Sequence, residues 1–135
     1  MDAGQGDYPL VLHGASSVPK DLVDEINKYG GKMADTAGVP EADIEIARRT
    51  GVTKVNIDTD LRLAMTAKIR EVFATKPAEF DPRKFLADAQ KAAKEICVAR
   101  YTAFGCAGQA SKIKPVSMEK MAERYKKGEL NQIVQ

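Results

Sequence analysis

Histidine is almost missing from this sequence: it occurs once, as His13. A catalytic metal needs several protein ligands, so the chain cannot build a histidine-rich metal centre from its own residues. Cysteine is nearly as scarce, with Cys97 and Cys106 nine positions apart and no CxxC spacing. That pattern fits reduced, partly buried thiols much better than a disulfide framework or a zinc knuckle. A Cys–His nucleophile pair has only this composition behind it. Long hydrophobic runs are also absent: no stretch of about eighteen apolar residues exists, which excludes a membrane-spanning helix. The opening MDAGQGDYP has no basic region followed by an apolar stretch, so it does not read as a secretory signal. The resulting expectation is a cytoplasmic protein. An excess of one charge sign is missing too, with 21 basic against 19 acidic residues and a net charge of +2. No field for nucleic acid follows, and the small cluster Lys126–Lys127 reads as a solvated helix end.

What is present is an ordinary globular pattern. The 135 residues fall in the range of one domain, and 44% of them are hydrophobic. Tyr8–His13, reading YPLVLH, is a short apolar run closed by Gly14, the pattern of a strand buried on both faces. Ser16 or Ser17 can cap a following helix with Pro19 in its first turn. Leu22, Val23, Ile26 and Tyr29 form its apolar stripe, and Gly30 and Gly31 stop it. Pro40 opens a shorter helix through Ile44 and Ala47, ended by Gly51. Val52–Asp58, reading VTKVNID, alternates like a second strand, with Val55 and Ile57 on one side and Asn56 and Asp58 on the other. Thr59 or Asp60 starts the next helix, with Leu61, Met65, Ile69 and Val72 predicted on one face. Asp81-Pro82 reads as a cap and first-turn proline for a long helix through Phe85, Ala89, Ala92, Ile96 and Cys97. FGCAGQASKIKP reads as a loop, and Ser117 caps a last helix ending near Gly128.

Two strands joined through helices are expected to be parallel, with a right-handed crossover. Such a pair exposes two open edges, whereas parallel sheets need covered faces and further strands. The predicted fold is therefore α/β and incomplete. Residues 1–135 are expected to form a single partial domain, with further strands on polypeptide outside the chain.

Chemistry-bearing residues gather at the predicted strand ends. His13 closes the first strand, and Asn56 and Asp58 close the second, spaced to share one side. Each strand then opens into small or hydroxylic residues, Gly14 to Ser17 after the first and Thr59 after the second. Glycine lets a ligand approach the backbone, and amides and hydroxyls at a helix start hold an anion, so the pattern suits a phosphate. Each feature also has an ordinary structural counterpart, as a hydrogen-bonded histidine or a helix cap. The coincidence at two consecutive strands points to a shared rim.

Two segments, PLVLHGASSVP (Pro9–Pro19) and GVTKVNIDTDLRLAMT (Gly51–Thr66), are similar to the last two barrel strands of class II fructose-bisphosphate aldolases. FDPRKFL (Phe80–Leu86) and AFGCAGQA (103–110) resemble the C-terminal region of that family in order and spacing. The resemblance covers nearly all of the chain from Pro9 onward. It implies the C-terminal portion of a TIM (β/α)8 barrel, namely its last two parallel strands with the flanking and C-terminal helices. It further implies Zn2+ as cofactor, with His13 as one metal ligand. Gly14 and Ser16 would bind one phosphate of a sugar bisphosphate, with Asp58 and Thr59 finishing that pocket. Asn56 would contact the ketose near its reacting carbons. Arg62 and Arg83 are candidates for a basic residue that reaches a neighbouring subunit's substrate, with Asp81 near the sugar. For Arg62 the competing reading is a helix-surface cation paired with a carboxylate.

The implied reaction is a reversible retro-aldol cleavage of fructose 1,6-bisphosphate to dihydroxyacetone phosphate and glyceraldehyde 3-phosphate. Zinc would act as Lewis acid and a carboxylate as general base. That base and the other metal ligands are expected from the N-terminal part of the barrel, in a homo-oligomeric enzyme. This chain alone is expected to be inactive. Tagatose bisphosphate is an alternative substrate, and a non-catalytic half-barrel that binds phosphate or mediates assembly is an alternative role.

Overall fold

The computed structural model describes residues 9–131. Its elements run β1 (Leu10–Leu12), α1 (Lys20–Lys28), α2 (Glu41–Ala47), β2 (Val52–Val55), α3 (Thr59–Thr75), α4 (Pro82–Ala103) and α5 (Met118–Lys126), with a single 3-10 turn at Ala110–Lys112. The fold is α/β, as expected. The two strands pair in parallel, with Leu10 opposite Val52, Val11 opposite Lys54 and Leu12 opposite Val55. An irregularity falls between Leu10 and Val11. Both strands are shorter than predicted. His13 lies one residue beyond β1, and Asn56 and Asp58 lie beyond β2. Tyr8 falls outside the described residues. Pairing nevertheless continues by one bond, as the Asn56 amide donates to the Leu12 carbonyl at 3.1 Å.

The expectation that β1 is buried on both faces is corrected: Leu10 and Val11 are 52% and 45% exposed. The reason is the one the strand count anticipates. The sheet has two strands among the described residues, so nothing on its outer sides covers them.

Helix α1 buries Val23 and Ile26 on the predicted stripe, with Leu22 and Tyr29 half-buried. It ends in a Schellman motif, in which the Gly30 amide donates to the Asn27 carbonyl and the Gly31 amide to the Ile26 carbonyl. Gly30 supplies the left-handed φ of +85°. At Gly31 a Cβ would stand 2.5 Å from the Ile26 side chain.

Val23, Ile26, Leu63 and Ala67 form the core between α1 and α3, and Val18 and Leu22 pack on it. The deeply buried residues of α3 are therefore Asp60, Leu63, Ala64, Ala67 and Val72 rather than Leu61, Met65 and Ile69, which are half-buried. α3 packs on α1 and also on α4, so no single apolar stripe describes it. Phe73 meets Phe85 edge-on at 5.0 Å across the α3–α4 seam.

Asp81 caps α4 as predicted, its carboxylate accepting from the Arg83 amide, and Ser117 caps α5 through Lys120 N. Cys97 is half-buried and Cys106 exposed, so only the first thiol matches its predicted environment. No described helix is long and apolar enough to cross a membrane.

Candidate functional site

In a parallel sheet the residues just past the strand ends share one edge, and here both post-strand segments meet there. Asn56 Nδ2 stands 2.8 Å from His13 Nδ1, linking the ends of the two strands. One hydrogen bond at a ring nitrogen fixes the imidazole plane and leaves Nε2 for a second partner. His13 itself is exposed. Gly14 takes φ +68°, and a Cβ there would meet nothing within 4 Å. Glycine is required for the backbone conformation, and the space in front of it is open. Ala15 next to it is fully buried and anchors the loop.

Ser16 does not cap its own helix. Residue Pro19 occupies that cap position without a side-chain hydrogen bond. The Ser16 hydroxyl instead reaches across to α3 and accepts from the Asp58 and Thr59 amides at 3.2 and 3.0 Å. Two N–H donors use its oxygen as acceptor, and among the described residues its own O–H has no acceptor. The anion-binding amides predicted at the start of α3 are thus taken up by Ser16 at Asp58 and Thr59.

The loop is held from the opposite direction by Asp60, which is fully buried. Its carboxylate accepts from Val18 N at 2.9 Å, Ser17 N at 3.3 Å, Arg100 Nε at 3.1 Å and Arg100 Nη2 at 2.8 Å. Arg100, whose side chain is 12% exposed, also pairs with Glu41 at the start of α2. The Val39 amide donates to the Ser16 carbonyl at 3.1 Å. Gly38 packs so close that a Cβ would lie 2.1 Å from that carbonyl oxygen. Within this frame Val18 adopts φ +49°, the one non-glycine residue in the left-handed region among those described. For a β-branched side chain this strain costs on the order of 1–3 kcal/mol and persists only where surrounding contacts impose it.

The remaining predicted residues fall in two groups. Asp58 and Arg62 form an exposed pair four residues apart at 2.6 Å, the surface ion pair weighed against a substrate role. Asn56 is half-buried while Asp58 is exposed, and neither lies on a strand, so the predicted same-side alternation does not apply. Thr59 is the first residue of α3 and shares the rim through its amide. Asp81 and Arg83 are elsewhere. They sit at the start of α4, beyond the 17 residues of α3, roughly 25 Å of helix from the rim. The Asp81 carboxylate accepts from Arg83 Nε and Nη2 at 3.0 and 2.7 Å. The Arg83 side chain, and then its amide, hold the Asp81 carboxyl below its ordinary value. The structure does not bring this pair to His13 within the chain.

A cavity of about 310 Å³ lies between β2, α3 and α4, lined by Val55, Leu61, Cys97 and Tyr101 among others. None of the predicted site residues lines it, so the candidate site is an open rim. Among the described residues no group of three or more His, Cys, Asp or Glu side chains could hold a metal ion. His13, exposed and in contact with Asn56, is an imidazole that the described residues do not by themselves complete into a metal site. The sequence reading missed Asp60, Arg100, Glu41 and Val18. Its one available signal was Asp60 two residues after Asp58, which reads as an ordinary first-turn acid.

Comparison with known proteins bears on this rim. The family model for class-II fructose-bisphosphate aldolase matches residues 2–109. The fructose-bisphosphate aldolase of Xanthobacter flavus is 56% identical over 125 residues, covering 93% of this chain and 35% of that protein. The aldolase of Stutzerimonas stutzeri is likewise 56% identical, and that of Pseudomonas aeruginosa 55% identical, each over 125 residues with the same coverage. The chain therefore spans about 35% of the length of these curated relatives. With the Pro9–Pro19 and Gly51–Thr66 segments meeting at one edge of a parallel sheet, and a family match over residues 2–109, the chain belongs to the class-II fructose-bisphosphate aldolase family.

Proposed function

We propose that this chain is part of a zinc-dependent aldolase that reversibly cleaves fructose 1,6-bisphosphate to dihydroxyacetone phosphate and glyceraldehyde 3-phosphate. The observation that carries this reading is the junction of the two post-strand segments. His13 meets Asn56, and Ser16 meets the start of α3, on one edge of a parallel sheet. In the complete enzyme β1 and β2 are the last two strands of a (β/α)8 barrel, and residues 1–135 are one partial domain of it. The N-terminal part of the barrel supplies the other metal ligands and the carboxylate general base. The reading as an aldolase also suits the relatives' names and the parallel pairing.

In this reading His13 gives one imidazole to the metal. Zinc, when bound, supplies Lewis-acid polarisation of the substrate carbonyl. For Nε2 to face the metal, Nδ1 must carry the ring proton and donate it, so Asn56 takes part with its side-chain amide turned to present Oδ1 at the same contact, which fixes the imidazole plane. Asn56 also lies where the ketose would approach. Ser16 donates its free O–H to one substrate phosphate, and the open backbone at Gly14 admits the same group. Asp58 and Thr59 close that side of the pocket. Fixing the phosphate orients the substrate, which lowers the barrier by positioning. Arg62 or Arg83 serves the far phosphate across an interface of a homo-oligomer, with Asp81 beside Arg83 near the sugar. The distance of Arg83 from the rim within one chain suits such a role.

The test is a coupled assay of bisphosphate cleavage on the complete enzyme, with zinc content measured alongside. His13→Ala is expected to lose both bound zinc and turnover, and retention of both would sink the assignment. The isolated chain with added zinc is expected to show no turnover.

A further inference from the structure

The phosphate-facing loop contains a conformational problem that the residues of the rim do not solve themselves. Val18 stands in the left-handed region, and the residue after it is Pro19, which further narrows what Val18 can adopt. Its side chain packs on the α1–α3 core, so it cannot swing out to relax. Ser16, two residues earlier, has to present its hydroxyl to α3 and to a ligand at once. An unsupported loop with such a residue would relax to ordinary φ and carry Ser16 away from the amides of Asp58 and Thr59.

The support comes from one buried carboxylate. Asp60 accepts both the Ser17 and Val18 amides, fixing the peptide groups on either side of Ser17 and so the one that leads into the strained Val18. A buried carboxylate holds its shape only when its charge is answered, and Arg100 answers it with two donors from the last turns of α4. Glu41 engages the outer edge of the same guanidinium and ties α2 into the frame. Neither Asp60 nor Arg100 is open enough to serve as a substrate ligand, at 0% and 12% side-chain exposure. We infer that Asp60 and Arg100 are positioning residues that hold the Ser16–Val18 loop in its strained, phosphate-competent conformation, so that they set phosphate affinity without touching substrate. This rests on the aldolase reading of the rim and adds to it the residues that tune one of its subsites.

The experiment uses the complete enzyme and inorganic phosphate as a competitive probe. Asp60→Asn keeps the shape but weakens the hold on two amides and the guanidinium. It is expected to raise KM for the bisphosphate and the inhibition constant of phosphate together, about tenfold each, with kcat changed less than about twofold. Arg100→Lys keeps the charge but loses the forked contact, and is expected to move the same two constants less, in the same direction. An Asp60→Asn enzyme that melts near the wild-type temperature and keeps both constants overturns the proposal, and so does a loss confined to kcat. Should Asp60→Asn not fold, Arg100→Lys decides alone, and unchanged phosphate inhibition in it overturns the proposal. A wild-type enzyme that neither cleaves the bisphosphate nor responds to phosphate is a different result: it removes the aldolase reading, and this proposal with it.

Discussion

Asn56 and His13, separated by 43 positions in sequence, are joined by a 2.8 Å contact between amide nitrogen and ring nitrogen. A histidine held through one ring nitrogen presents the other in a fixed direction, which is how outer partners tune metal ligands. Asn56→Ala in the complete enzyme is therefore expected to weaken zinc affinity about 10- to 100-fold. Competition against a chelator of known affinity measures it. Unchanged zinc affinity would leave Asn56 with a substrate contact only.

Ser16→Ala removes a hydroxyl that accepts from two amides at the start of α3. The lost cap is expected to lower stability by about 1 kcal/mol, read from the denaturant midpoint. The lost donor is expected to raise KM for the bisphosphate as well. A stability loss without any change in KM would confine Ser16 to capping.

Asp81 gives a pH prediction. Its carboxyl is lowered from 3.8, first by the Arg83 side chain and then by the Arg83 amide. A lowered carboxyl contributes stability that is complete above its unfolded value of 3.8 and is lost as pH falls through the lower folded value. The stability difference between wild type and Asp81→Asn is thus expected to be constant from neutral pH to about pH 4 and to shrink below it. Denaturant midpoints of both proteins across that range check it, and a difference that grows on acidification would contradict the sign.

Arg62 and Asp58 form an exposed pair, at 75% and 68% side-chain exposure. Pairs four residues apart on a helix surface contribute about 0.3–0.5 kcal/mol. Arg62→Ala is expected to leave the melting temperature nearly unmoved. A rise in KM in that variant would support the proposed phosphate contact, and an unchanged KM would reduce Arg62 to its surface pair.

What the sequence made legible was local. Asp81-Pro82 and Ser117 cap where they were read to cap, because cap and helix are adjacent and the chemistry needs no distant partner. Gly30 and Gly31 end α1 for the same reason. The expectation that Ser16 or Ser17 caps α1 fails: Pro19 holds that position, and the Ser16 partners, the amides of Asp58 and Thr59, lie 42 and 43 positions away. The face of α3 was misread because a helix packed on two sides has no single stripe, and small residues such as Ala64 and Ala67 are buried where it meets its neighbours. Asp60 was passed over because an acid in a first turn ordinarily faces water. Its burial is explained by partners that lie far off in sequence, the Ser17 and Val18 amides and Arg100 from 40 positions on. At the rim, the meeting of His13 with Asn56 was readable from strand ends alone. The carboxylate frame beneath the loop was not.

The half-bare β1 has a practical side. Leu10 and Val11 present a short apolar ribbon whose one neighbouring strand among the described residues is β2. A ribbon of that kind adds a strand from whatever polypeptide is nearest. Expressed by itself at high concentration, the segment is expected to recruit its own copies and accumulate as insoluble material. Supplying the complementary portion of a relative in the same cell should compete for that ribbon and keep the material in solution.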